Sequence, residues 1–167
     1  MGNRIRLSKI HRQEDYAYFS QLVFNELVMK MNMGRVFTEE EAKEFFSFLL
    51  EYNTTNEQGG AHLVYTPDGV FLGIGNLWIR DGTGEIEYMI LPQFWGKGYA
   101  TEVAGTLVGL ARTDPCVKII RGLTDPENIA SVRVLQKNGF QFDKTEKVEE
   151  DGSVVAIYSL VQQENFG

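Results

Sequence analysis

FWGKGYATE, residues 94–102, is the stretch on which the fold turns. Two glycines and a lysine lead straight into a segment with helical spacing, Val103, Leu107 and Leu110 on one face. A single capping residue is enough to start a helix, so Gly96 and Gly98 call for another reason. A helix N-terminus carries unpaired N–H groups and a partial positive charge. Glycine there lets a phosphate reach the backbone with no Cβ in the way. The plain alternative is that both glycines only ease a strand-to-helix turn.

Working outward, the residues before this stretch have the period of strands. EIEYMIL alternates through residues 85–91 and stops at Pro92. Before it come AHLVYT, a turn at PDG (67–69), VFLGIGNLWI and a second turn at RDGTG (80–84). Strands joined by such tight turns predict an antiparallel meander. Further back, RIRLSKI alternates as a strand, and residues 12–32 predict a helix with Tyr16, Phe19, Val23 and Leu27 on its buried side. Thr38 and Glu41 form a capping box for a second helix carrying Ala42, Phe45, Phe46, Leu49 and Leu50.

Beyond the glycines, residues 100–113 predict a helix and VKIIRGL (117–123) a strand. DPENIASVRVLQKNGF predicts a helix with Asp125 as N-cap, Pro126 at the first position and Asn138-Gly139 as the stop. FQFDKTEKV and SVVAIYSLV are strands around a turn at Asp151-Gly152. The order is β-α-α-β-β-β-α-β-α-β-β. The fold class is α/β (α+β), a mixed, mostly antiparallel sheet flanked by helices. No repeat, linker or low-complexity segment divides the chain, so residues 1–167 are expected to form a single domain.

Composition narrows the partners. The chain has 167 residues, 43% of them hydrophobic, and a net charge of −7. An acidic balance argues against general nucleic-acid binding, which needs a basic face, and favours cationic substrates. No apolar run reaches membrane-span length. The N-terminus lacks a signal-peptide core, and Arg6 stands where an acylation motif wants a small hydroxyl residue. The lone cysteine, Cys116, cannot form an internal disulfide, which fits a cytoplasmic location, and it is expected to be buried beside VKII.

Other phosphate and catalytic patterns fail. Lys97 is followed by Gly98-Tyr99 rather than Ser or Thr, so there is no P-loop. Thr101 stands where a dinucleotide fingerprint from Gly96 needs its third glycine, and Trp78 stands there in GIGNLW (73–78). His11 and His62 have no metal-ligand spacing, so no metal is expected. No Gly-x-Ser-x-Gly or Cys–His nucleophile arrangement is present.

A second element decides between the two readings of the glycines. Asn128, thirty residues after Gly98, precedes a helix that ends in Gly139-Phe140. Together the two motifs resemble the GNAT superfamily of N-acetyltransferases, in particular the branch of ribosomal-protein N-terminal acetyltransferases (RimJ/RimL-like). The family pattern Gln/Arg-x-x-Gly-x-Gly/Ala maps onto Trp95-x-x-Gly98-x-Ala100, with Trp95 departing from the strict form. The resemblance covers roughly residues 60–160 and implies the acyl-CoA N-acyltransferase fold, with acetyl-coenzyme A (acetyl-CoA) as cosubstrate. It implies that the backbone N–H groups of Gly96, Lys97, Gly98, Tyr99, Ala100 and Thr101 hold the pyrophosphate. Lys97 has a second reading as a solvated loop lysine. It also implies that the backbone of Met89, Ile90 and Leu91 pairs with the pantetheine arm, and that Asn128 binds the end of that arm.

Direct attack by a neutral amine needs a base, an oxyanion donor and, for the thiolate, an acid. Glu85 and Glu87 share one face of their strand, opposite Ile86, Tyr88 and Ile90. Glu87 and then Glu85 are the candidate bases, each with a second reading as an ordinary solvated carboxylate. The oxyanion donor is expected to be a backbone N–H near Ile90 or Leu91. The family often places a Tyr seven residues after the motif Asn; here that position is Leu135. Ser131 matches the resembled branch and is the candidate acid, with a second reading as a first-turn helix residue bonding locally; a thiolate is also a good enough leaving group to depart without an acid. The expected function is acetyl transfer to a primary amine, either a protein N-terminal α-amine or a small molecule, in a ternary complex. The alternative is a coenzyme A-binding module that has lost catalysis, and homodimerisation stays open.

Overall fold

The computed structural model describes residues 4–161. β2 (Gly60–Tyr65), β3 (Phe71–Arg80) and β4 (Thr83–Ile90) pair antiparallel in chain order, as the turns between them require, and β1 (Arg6–Lys9) pairs antiparallel with β2 across the intervening helical segment. The tightest turn joins β3 to β4 through Asp81 and Gly82, whose φ values of 51° and 79° suit a two-residue hairpin. β5 (Ile119–Thr124) then runs parallel to β4. β7 (Val154–Val161) and β6 (Gln141–Lys147) complete a seven-stranded sheet of order β1-β2-β3-β4-β5-β7-β6.

Strand alternation gives the sheet two apolar faces. On one lie α1 (Tyr16–Val23), α2 (Glu26–Lys30) and α3 (Glu39–Thr55), with Phe19, Leu22, Phe46 and Leu49 packed on Ala61, Leu63 and Ile74. On the other lie α4 (Tyr99–Arg112) and α5 (Ile129–Lys137), with Val103, Leu107, Ala111 and Leu135 packed on Leu77, Ile86 and Ile120. The capping box at Thr38 and Glu41 is formed. No helix among the described residues is long and apolar enough to cross a membrane.

One feature of the sheet makes the site. The β4–β5 ladder runs only from Thr83↔Ile119 to Ile86↔Gly122, while β4 continues to Ile90 and β5 to Thr124. The two strands part after Ile86 and leave a gap that crosses the sheet.

Three local expectations are corrected. The helix expected over 12–32 is broken: Asn25 Oδ1 accepts the N–H groups of Leu27 and Val28 at 3.0 and 3.2 Å and caps α2 afresh. Asparagine's short side chain competes well for such N–H groups. The restart rotates the register, so Leu27 is 58% exposed and Val28 and Met29 are buried instead. The cap of the last helix is Asn128 rather than Asp125; Asp125 Oδ1 accepts Glu127 N–H at 2.8 Å in the preceding turn. Cys116 is exposed, because the turn at Asp114 takes its N–H and Val117 fills the core position.

Candidate active site

Between β4 and α4 the chain makes a 3₁₀ turn (Pro92–Phe94) and then the glycine loop. Gly98 is the N-cap of α4 with φ +82°, and Gly96 has φ +77°, both in the left-handed region that favours glycine. Gly98 has no side chain to cap α4, so the first N–H groups of the helix face outward. Among the described residues, a Cβ on Gly96 would meet nothing within 4 Å. These features fit a phosphate-bearing ligand: outward N–H groups at a helix N-terminus, with open space before them.

Two contacts brace the loop. Trp95 donates its indole N–H to the Ile90 carbonyl at 2.7 Å, tying the loop to the end of β4. Arg4 donates to Glu102 Oε2 at 2.7 Å and to the Lys97 carbonyl at 2.9 Å, and its guanidinium stands 4.6 Å over the Tyr99 ring. A residue ahead of β1 therefore fixes the start of α4. The Lys97 side chain is exposed.

A cavity of about 910 Å³ runs from this loop through the β4–β5 gap to the loop after α2. Of the residues expected to bind the cofactor, it brings together Met89, Ile90, Trp95, Gly96 and Gly98. Tyr99, Ala100, Thr101, Asn128 and Ser131 line it too. Lys97 and Leu91 lie off the lining, and the Leu91 N–H is used inside the sheet, donating to the Leu72 carbonyl at 2.9 Å. The alternation of the ladder turns the Ile90 N–H toward the gap instead, its carbonyl being held by Trp95.

The two glutamates part company. Glu87 lines the cavity on the α1–α3 face, where its Oε1 accepts Trp78 Nε1–H at 2.6 Å and Asn76 Nδ2–H at 3.3 Å. Trp78 is itself held by Tyr52 and Phe48, with ring centroids 4.9 and 5.9 Å away. Glu85 is half-buried outside the cavity lining, opposite Arg121 in the β4–β5 ladder. Burial pushes its carboxyl up, Glu87 adds to this, and Arg121 opposes it.

On the other face, the Tyr88 hydroxyl lies 3.2 Å from Ser131 Oγ. Ser131 sits in the first turn of α5, where its N–H is held by Asn128 Oδ1 at 3.1 Å. Burial pushes the Tyr88 phenol up, against a smaller pull from Ser131, so it stays protonated through neutral pH. Leu135, the position of the family Tyr, is buried against Gly122.

Tyr88, Asn76 and Arg4 were not singled out from the sequence. Alternation puts Tyr88 correctly on the apolar face; only the strand gap turns that face into a cavity wall. Asn76 had a signal, as a lone amide inside the apolar run GIGNLW. Arg4 had none, since its partners lie more than ninety residues away.

Residues 4–141 match the family model of the acetyltransferase (GNAT) domain. The uncharacterized protein YkkB of Bacillus subtilis (strain 168) is 30% identical over 164 residues, covering 93% of this chain and 91% of YkkB. Among solved structures, the spermidine N-acetyltransferase of Vibrio cholerae in complex with CoA and spermine superposes with a TM-score of 0.80. Its identity is 18%, over 96% of this chain and 97% of that one. The ribosomal L7/L12 α-N-protein acetyltransferase RimL in complex with CoA gives a TM-score of 0.77 at 16% identity, over 95% and 94% of the two chains. At these identities the two structures speak to the fold.

Proposed function

The chain belongs to the GNAT acetyltransferase family, and on that premise we propose that it moves the acetyl group of acetyl-CoA onto a primary amine bound in the same cleft. The observation that carries this reading is the continuity of one cavity from the glycine loop, through the strand gap, to Glu87 on one face and Tyr88 with Ser131 on the other.

The residues divide the work by position. The N–H groups at the start of α4, with Gly96 and Gly98 keeping their approach open, hold the pyrophosphate. The Ile90 backbone faces the gap where an extended arm can lie, and Asn128 meets the end of that arm. When bound, acetyl-CoA supplies an activated thioester. Glu87 takes the proton that the amine loses as it forms the new C–N bond. Tyr88, hydrogen-bonded to Ser131, gives a proton to the sulfur as the C–S bond breaks. This phenol stands in for the one missing at Leu135, which speaks against an inactive module.

The test is calorimetric titration with acetyl-CoA and with adenosine diphosphate, followed by thiol release in the presence of amines. The expected result is saturable binding of acetyl-CoA and amine-dependent release of the thiol. Absence of acetyl-CoA binding would sink the proposal.

A further inference from the structure

The acceptor end of the cleft has a chemistry of its own. Asn76 is 3% exposed and lines the cleft beside Glu87, to which it donates its Nδ2–H. Its Oδ1 is buried and has no hydrogen-bond partner among the described residues. A buried amide oxygen left unpaired is costly. A rotation of the amide toward the cleft would let an amine N–H of a bound acceptor satisfy it, with Glu87 beside it for the proton or the charge.

Around this polar spot the wall is apolar. Met31 and Met33, 43% and 52% exposed, follow α2, and Phe37 and Phe45 stand behind them. Thioethers and rings of this kind adapt to irregular apolar bodies. Among the described residues lining the whole cavity, the charges are Glu87 and Asp125 against Arg133 and Lys137, a balance of zero. Asp125 already accepts the Glu127 N–H. Beside Asn76 the lining offers one carboxylate, Glu87, despite the chain's net charge of −7. A second or third ammonium on the acceptor would meet thioethers and aromatic carbons there, with no second carboxylate beside Glu87 among the described lining residues to pair with it.

Building on the acetyl-transfer reading above, we propose that the acceptor is an amine carried on an apolar or aromatic body without a second cation, its nitrogen held between Asn76 Oδ1 and Glu87. Polyamines and aminoglycosides, the ligands in several solved structures of this fold, lie outside that class.

The experiment uses the whole chain at saturating acetyl-CoA and measures thiol release with 2-phenylethylamine, hexylamine, a short peptide beginning with Phe, spermidine and kanamycin. The expected kcat/KM for at least one of the first three exceeds that for spermidine and for kanamycin by about 10-fold or more. The peptide arm, against the two free amines, shows whether the apolar amine comes from a chain terminus or a small molecule. Met33→Glu, at an exposed position of the wall, is expected to lower that preference by about 10-fold. Equal or faster turnover of spermidine or kanamycin would overturn the proposal. So would an unchanged preference in Met33→Glu, or no turnover of any apolar amine while calorimetry shows acetyl-CoA bound. Failure to bind acetyl-CoA would instead overturn the acetyl-transfer reading on which it rests.

Discussion

The phenol of Tyr88 and the hydroxyl of Ser131 face each other at 3.2 Å across the cleft, one from β4 and one from the first turn of α5. Consecutive residues of a strand point to opposite faces. Glu87 therefore looks toward the α1–α3 side and Tyr88 toward α5, so one dipeptide places a carboxylate and a phenol on the two sides of the strand gap, where the proposed reaction uses them as base and acid.

Tyr88→Phe tests the acid. It keeps the ring and removes the proton. The expected loss in kcat is about 10²-fold, with the KM for acetyl-CoA little changed. Because burial holds the phenol above its ordinary value, the wild-type rate is expected to persist into alkaline pH before it falls. That alkaline limb should vanish in the variant. A kcat within twofold of wild type would remove Tyr88 from the chemistry.

Glu87→Gln tests the base. The amide can still accept from Trp78 Nε1–H, so the local structure should hold. The expected fall in kcat/KM for the amine is about 10²–10³-fold, with calorimetric affinity for acetyl-CoA unchanged. Trp78→Phe removes the 2.6 Å hydrogen bond that orients the carboxylate. It should lower kcat by about 10-fold through misplacement. Full rates in both variants would leave the amine to lose its proton to water.

Gly98→Val tests the glycine loop. Gly98 has φ +82°, and an added Cβ would come within 3.2 Å of Arg4 Nη2. A β-branched residue is strained there by about 1–3 kcal/mol and would crowd the outward N–H groups. Acetyl-CoA affinity should fall by more than about 10-fold, with the circular dichroism spectrum retained. Gly96→Ala, with no atom near its Cβ, should weaken binding less. Unchanged affinity in Gly98→Val would mean that the loop is only a turn.

Periodicity and turn chemistry carried most of the fold, because the elements that position the site are locally encoded. The glycines before α4, the hairpin at Asp81-Gly82 and the Thr38–Glu41 box each specify their own geometry. Asn25 was missed because its effect is a competition: the apolar spacing runs on through a position where a side-chain cap outweighs one more helical turn. Within the site, Glu87, Ser131 and the loop were legible from motif and alternation. Tyr88 and Asn76 were not, because their meaning depends on where β4 leaves β5 and on which polar atoms the packing leaves unpaired. Gly122 shows the same limit. A Cβ there would lie 2.4 Å from Leu135 Cδ2, a fit between strand and helix that neither segment announces.

Glu85→Gln separates the second glutamate from catalysis through stability. Burial is the main cause that raises the Glu85 carboxyl, followed by Glu87, with Arg121 opposing. A carboxyl raised in the folded state favours folding while protonated, and that contribution is lost as pH climbs through its folded pKa. Charged Glu85 therefore weakens the fold at neutral pH and does not at acidic pH. Glutamine keeps the shape and never ionises, so the variant should melt higher than wild type at pH 7, by about 2–4 °C if the gain approaches 1 kcal/mol. The difference should shrink toward zero near pH 4. Activity should stay near wild type, since Glu85 lies off the cavity lining while Glu87 is on it. A lower melting temperature at pH 7 would mean that the charge of Arg121, opposite Glu85 in the ladder, outweighs the cost of burial.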